Sequence, residues 1–310
     1  MVKTAQKIKF LDVGHGDSSV IFLKDTGCET AKAVIIDIVD ADKAADELAR
    51  ENIRILEILI ISHFDADHCK GVNDFLEKFL ARGKVRSICY NLDRWKPTQI
   101  MRCLLRRFLE LCRMHSCTLL GVHLDTNMHK HELIGDDSAK LSVIYPNEED
   151  NTIEYLNHNT NNKSIVCILE STSCTTLFPG DLEAEGWDRL LNRLPALKCD
   201  ILKMSHHGAF YADDKAAGTN RIVKSLKPKM AVISTKEHKR YRHPDLETIK
   251  VLKKNGVRIY CTEYTNMCQC STIESERKCY GDIEIIVDKS GYQIFTEKNM
   301  TLSLHQPACI

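Results

Sequence analysis

Apolar residues in this chain gather into short runs that stop abruptly at polar clusters. Strand-like runs fall at 8–13, 18–23, 33–38, 56–61, 85–90, 141–145, 164–170, 175–178, 200–204, 230–234, 257–262, 282–287 and 292–296. A period near four instead marks helices at 41–51, 72–82, 98–115, 183–193 and 245–255. The first three strands have short links, which predicts antiparallel pairing, and the later ones alternate with helices, which predicts parallel crossovers. Two packed sheets with helices outside satisfy this pattern. No repeat in register, low-complexity linker or composition break divides the chain, so a single domain over 1–310 is expected, with a helical insertion at 93–131 and a cysteine-containing loop at 263–280.

The run 56–61 holds Ile58, Leu59, Ile60 and Ile61 in succession, which predicts a strand buried on both faces. It ends in Ser62-His63-Phe64-Asp65-Ala66-Asp67-His68. Imidazoles and carboxylates crowded onto the turn after a rigid strand suit a borderline or hard divalent metal, and point to metal-assisted hydrolysis. Other strand ends carry related clusters. Pro179-Gly180-Asp181 offers a carboxylate that can bridge two cations through its two oxygens, although Asp is also a good helix cap. Ser205-His206-His207-Gly208 offers adjacent imidazoles, one able to ligate a metal while the other donates to a substrate oxygen or protonates a leaving group. Arg240-Tyr241-Arg242-His243-Pro244 adds an imidazole and donors suited to phosphate. Brought to one rim, these groups predict two adjacent metal pockets sharing an activated hydroxide.

Lys plus Arg and Asp plus Glu both number 43, so no net charge draws the chain to nucleic acid or lipid, and any polyanion binding must be local. Lys203, Lys239, Arg240 and Arg242 supply basic groups near the expected rim. The helix at 98–115 carries Arg102, Arg106, Arg107 and Arg113, either as a solvated face or as a contact for a polyanion or a protein partner. No apolar leader and no run of about 18 apolar residues is seen, so a soluble, cytoplasmic protein without membrane contact is expected. Most of the 14 cysteines are scattered singly among apolar residues, as reduced core thiols would be. Cys261, Cys268, Cys270 and Cys279 cluster, but without the paired Cys-x-x-Cys spacing of strong zinc motifs.

Six segments, in order, resemble the metallo-β-lactamase fold superfamily, and more closely the β-lactamase-like domain of ComEC-type DNA-uptake proteins. They are Leu11-Asp12-Val13-Gly14-His15-Gly16-Asp17-Ser18, the His63 to His68 run, Asn161-Asn162-Lys163-Ser164, Pro179-Gly180-Asp181, Ser205-His206-His207-Gly208 and His243-Pro244. The resemblance implies a four-layer αββα sandwich with two divalent ions, zinc or manganese, at the rim between the sheets. Carried over position by position, it implies His63 and Asp65 at the first metal and Asp67 and His68 at the second. Asp181 then bridges, His206 completes the second site, and Asp67 also orients the attacking hydroxide. Asp37 and Asp17 are implied as supporting carboxylates. Asp65 stands where much of the superfamily has a second His, which shifts the preference from zinc towards manganese. No His directly precedes the bridging Asp; Asn162 lies in the matching region with His158 close by, and His15 replaces a Gln. The expected reaction is hydrolysis of DNA or another nucleotide phosphodiester, with His207 or His243 assisting the leaving oxygen. Hydrolysis of acyl esters, thioesters or lactones, and a ligand-sensing subunit of a larger complex, are the alternatives.

Overall fold

The computed structural model describes residues 6–23, 31–92, 97–122, 124–136, 138–214, 216–236, 242–265 and 281–297. Lys239, Arg240, Cys268, Cys270 and Cys279 lie outside the described residues.

Two sheets share one plan, an antiparallel meander that becomes a parallel array. In the first, β1 (Gln6–Phe10), β2 (Ser19–Leu23) and β3 (Lys32–Ile36) pair antiparallel. Pairing turns parallel from β3 through β4 (Ile55–Ile61), β5 (Lys84–Tyr90) and β6 (Thr118–Gly121). A parallel neighbour must be reached by a crossover, and α1 (Ala41–Arg50), the pair α2 (Ala66–Cys69) and α3 (Val72–Leu80), and α4 (Gln99–His115) provide them.

The second sheet opens with β7 (His131–Gly135), β8 (Ala139–Tyr145), β9 (Val166–Ser171) and β10 (Thr175–Phe178), all antiparallel, with α5 (Glu148–Asn157) between β8 and β9. It continues in parallel through β11 (Ile201–Lys203), β12 (Met230–Ile233) and β13 (Arg258–Cys261), crossing by α6 (Ala184–Arg193), α7 (Thr219–Leu226) and α8 (Leu246–Lys254). The hairpin of β14 (Ile283–Asp288) and β15 (Gly291–Thr296) extends the first sheet beyond β1.

Three buried clusters show why these layers stack. Ile8, Phe10, Ile21, Val34, Ile58 and Ile60 meet Val143, Cys167, Phe178, Ile201 and Val232 between the sheets. The opposite face of the first sheet buries Ile35, Leu56, Leu59 and Ile61 against Leu48, Phe75 and Phe108 of α1, α3 and α4. The outer face of the second sheet packs Leu177, Leu202 and Ala231 on Trp187, Val223 and Leu252 of α6, α7 and α8. β4 faces both the helices and the opposing sheet, so its uninterrupted apolar run is needed on both sides. The result is an αββα sandwich, as the resemblance implies.

Four elements carry weak sequence patterns. β6 and β7 are sheet edges and half exposed, so apolar alternation is not required of them. α7 is short. α5 buries Asp150 and Glu154 rather than apolar residues, and a helix with a charged inner face has no hydrophobic period to read.

Candidate active site

In open parallel arrays ligands gather beyond the carboxyl ends of the strands, and the parallel halves of both sheets deliver the polar clusters to one rim. β3 ends at Asp37, β4 at Ser62 and His63, β10 at Asp181 and β11 at His206 and His207. Asp37, His206 and His207 all have positive φ (60°, 47° and 53°). That left-handed backbone is uncommon for non-glycine residues and turns their side chains across the rim.

Two groups of ligand-type atoms result: His63, His68 and Asp181 form one, and His15, Asp67 and His207 the other. His63, His68 and Asp181 are at most 3% exposed. His68 Nε2 lies 3.0 Å from Asp181 Oδ1, yet neither atom makes a well-formed hydrogen bond, and His63 Nε2 makes none either. Buried polar atoms are normally paired. Three bare ones converging are what a cation site requires.

The surrounding contacts fix which nitrogen of each imidazole is bare. Asp37 takes the Ser62 N–H at 2.8 Å and the Ser62 hydroxyl at 2.6 Å. Its second oxygen also lies 2.7 Å from His68 Nδ1; a carboxylate accepts, so Nδ1 donates to it and Nε2 is the nitrogen turned to the site. Because the Ser62 proton is committed to Asp37, its oxygen accepts from His63 Nδ1 at 3.1 Å, which leaves His63 Nε2 bare as well. His207 Nδ1 donates to the Ser234 carbonyl at 3.1 Å, and its Nε2 faces Asp67 Oδ2 at 3.6 Å. All three imidazoles therefore present Nε2 to the site.

The charges agree. Burial opposes protonation of His68, but the Asp181 and Asp37 carboxylates outweigh it and hold the imidazole well above its ordinary range. Burial, helped by His68, pushes His63 down to about 4. Burial opposes ionisation of Asp67, yet His15, 3.3 Å away, and His207 keep its carboxyl below the usual range. Asp181 is likewise held ionised against burial by His68 and His207. Such a negative, imidazole-lined rim draws a divalent cation.

The opening motif folds onto the same rim. Asp17 N–H donates to the Asp67 carbonyl at 3.0 Å, and a Cβ on Gly16 (φ +132°) would sit 2.4 Å from that oxygen. Only glycine fits this contact, which carries His15 to Asp67. Asp17 is spent on Lys203, its buried partner at 2.7 Å. Lys203, expected to help bind substrate, is thus an internal counter-ion. Asp65 stays at the mouth, its side chain 47% exposed and 3.9 Å from His63 Nε2. His206 lies 3.9 Å from Asp181 Oδ2 and 3.6 Å from Glu183 Oε1, and its ring is 5.5 Å from that of His243. The structure thus sets His207, not His206, beside Asp67. Asn162 uses its amide oxygen to accept from Glu183 N–H, and His158 is exposed at the end of α5; neither belongs to either group. Ser62, Ser164 and Ser234 are contributors that ligand-type patterns do not mark; Ser164 Oγ accepts from Asp181 N–H at 3.1 Å.

The chain belongs to the metallo-β-lactamase superfamily, whose family model, described as "Metallo-beta-lactamase superfamily", matches residues 13–235. ComE operon protein 3 of Bacillus subtilis (strain 168) is similar, with 32% identity over 109 residues, which are 35% of this chain and only 13% of that protein's length. Among solved structures, unliganded yeast PDE1 is similar at TM-score 0.49 and 10% identity, over 83% of this chain and 97% of that one. The human tRNase Z short form is similar at TM-score 0.43 and 14% identity, over 73% and 90%. The superfamily implies divalent ions, and the two His/Asp groups are where this chain can hold them. Among the described residues no helix is long and apolar enough to cross a membrane.

Asp37→Asn keeps one acceptor for Ser62 but loses the carboxylate that orients His68. Manganese affinity is expected to fall roughly 10- to 100-fold with little change in melting temperature of the metal-free protein, measured by calorimetric titration.

Proposed function

We propose that the chain is a metal-dependent phosphodiesterase acting on nucleic acid or a nucleotide phosphodiester. The observation that carries this reading is the convergence of bare, buried Nε2 of His63, Nε2 of His68 and Oδ1 of Asp181 beside His15, Asp67 and His207. Carboxylates in both groups, with Asp65 at the mouth, make an oxygen-rich donor set that suits manganese as well as zinc. Adjacent cations are also the arrangement used for in-line displacement at phosphorus. In this reading His63, His68 and Asp181 hold one ion and His15, Asp67 and His207 the other, with Asp65 and His206 at the edges of the pair.

A divalent ion bound there supplies Lewis acidity towards phosphoryl oxygens and lowers the pKa of an attacking water. Asp67, kept ionised, accepts a hydrogen bond from that water and sets its direction. Hydrolysis puts the hydroxyl on phosphorus and a proton on the departing oxygen. Burial, with His206 and His207 beside it, pushes the His243 imidazole down to about 4, so near neutral pH it acts as a hydrogen-bond donor to a substrate oxygen. The Thr235 hydroxyl donates to the His243 carbonyl at 2.8 Å and steadies that loop. Arg242, next to it in the chain and exposed, takes a phosphate in this reading.

The test is cleavage of linear DNA and of a small chromogenic diester with manganese or zinc added. Wild type is expected to cleave, and Asp67→Ala to lose roughly a hundredfold or more in rate. A folded, metal-loaded wild type inert on both, yet active on acyl esters, thioesters or lactones, would contradict the proposal and assign the site to acyl transfer to water.

A further inference from the structure

Helix α4 begins at the active-site rim. Its N-cap Thr98, which accepts from Met101 N–H, lines one small cleft together with His63, Asp65, Asn91 and Lys163. Asn91 and Lys163 also line the adjoining cleft of about 690 Å³. From Thr98 the helix runs for 17 residues, about 25 Å, away from that rim. Met101, Leu104, Phe108 and Leu111 anchor its inner face, and Arg102, Arg106 and Arg113 are exposed. At 3.6 residues per turn these three arginines fall within about 40° of one another, a single stripe about 16 Å long.

Arg54 and Arg82 donate to backbone carbonyls and Arg258 to the Tyr292 hydroxyl. Arg50, Arg86, Arg107, Arg189, Arg193 and Arg221 each meet a carboxylate. Among the described residues Arg102, Arg106 and Arg113 meet none, and Glu110, the acidic residue of α4, is paired with Arg107. Arg102 and Arg106, one turn apart, repel each other and gain nothing in return from the fold. A chain of formal net charge zero has thus concentrated unneutralised guanidinium groups on one line that leads to its metal site.

We propose that the Arg102–Arg106–Arg113 stripe of α4 is a track for the phosphate backbone of single-stranded nucleic acid whose scissile phosphodiester lies at the rim beside His63 and Asp65. The proposal rests on the phosphodiesterase reading and gives its substrate class: a polymer long enough to reach from the metal groups along α4. A single strand is favoured over a duplex because the stripe is one helix wide and the cleft it leads to is narrow. The contacts are with backbone phosphates, so recognition is independent of sequence.

The test separates binding from cleavage. A fluorescent 30-nucleotide oligothymidylate is titrated by anisotropy onto the full chain in chelator, where no turnover occurs, at several salt concentrations. The R102E/R106E/R113E variant is expected to bind at least tenfold more weakly, with a slope of log affinity against log salt shallower by about two, since each single-strand phosphate contact contributes about 0.7. The triple glutamine variant should fall between it and wild type. Both should cleave a small chromogenic diester at the wild-type rate, while kcat/KM on the oligonucleotide drops with binding. Equal weakening by the charge reversal K253E/K254E on α8 would overturn the track, because binding would then follow net charge alone. Unchanged oligonucleotide binding by the arginine variants would overturn it too, and so would loss only of anionic-vesicle or acidic-protein binding. If wild type cleaves no diester but the stripe variants still lose oligonucleotide binding, the track stands and the catalytic reading fails. If diesters are cleaved and oligonucleotide binding is indifferent to the stripe, the reverse holds.

Discussion

Asp181→Ala is expected to abolish hydrolysis together with metal binding at the His63–His68 group, while leaving a folded protein. Asp181 is the buried carboxylate of the group it forms with His63 and His68, and its Oδ1 faces His68 Nε2 at 3.0 Å with no proper hydrogen bond of its own. Without it, only His63 and His68 remain in that group, too few ligands to hold a divalent ion in a dry pocket. The rate should fall by roughly a thousandfold or more, equivalent to about 4 kcal/mol of transition-state stabilisation. Stability should move differently. In the metal-free fold Asp181 faces His68, which keeps Asp37 as a partner, so its removal costs that fold only modestly. Each filled site, by contrast, adds about 2.7 kcal/mol when the metal is at 100 times its dissociation constant, and the variant should lose the share of the His63–His68 group. Thermal melts with and without manganese check this: a metal-induced rise in wild type and a smaller one in Asp181→Ala.

The largest loss of stability is expected far from the chemistry, in Arg189→Ala. Arg189 Nε donates to Asp150 Oδ1 at 3.0 Å and its Nη2 reaches both the Tyr145 hydroxyl and Glu154. Arg193 takes the other Asp150 oxygen at 2.7 Å. Asp150 and Glu154 are 1% exposed, so losing Arg189 leaves Glu154 as a buried charge with no cation, a loss of roughly 3–5 kcal/mol. Burial already pushes the Glu154 carboxyl up against the pull of Arg189, and removing Arg189 raises it further. A raised carboxyl is stabilising when protonated and loses that contribution as pH rises through its folded value. The deficit should therefore be larger at pH 8 than at pH 5. Denaturant unfolding at both pH values measures it, and Arg189→Ala/Glu154→Gln should recover part of the loss. The site feels this network indirectly: Tyr145 donates to the Asn162 carbonyl, and Asn162 holds the Glu183 N–H two residues beyond Asp181.

The sandwich was legible because burial repeats a simple rule. A strand covered on both faces must be apolar throughout, and β4 is; a crossover helix must be apolar on one side, and α1, α3 and α6 are. α5 escaped the same reading because Arg189 and Arg193 pair with its inner face, and such pairing leaves no period along the chain. At the site, imidazoles and carboxylates at strand ends were visible as candidates, since few other roles crowd them there. Their grouping was not. Which of His206 and His207 turns towards Asp67 depends on two successive left-handed residues and on the Ser234 carbonyl, 27 positions away. The place of His15 depends on the contact of Gly16 with the Asp67 carbonyl, from a loop far along the chain. Lys203 reads as a substrate-binding cation in sequence because its partner, Asp17, is far more remote still.

The measurement that tests the account most directly is anomalous diffraction at the manganese edge from crystals of wild type grown with manganese. One peak is expected bounded by His63 Nε2, His68 Nε2 and Asp181 Oδ1, and a second beside His15, Asp67 and His207. Full-occupancy manganese bound elsewhere, or well-diffracting crystals with no peak at either group, would contradict it.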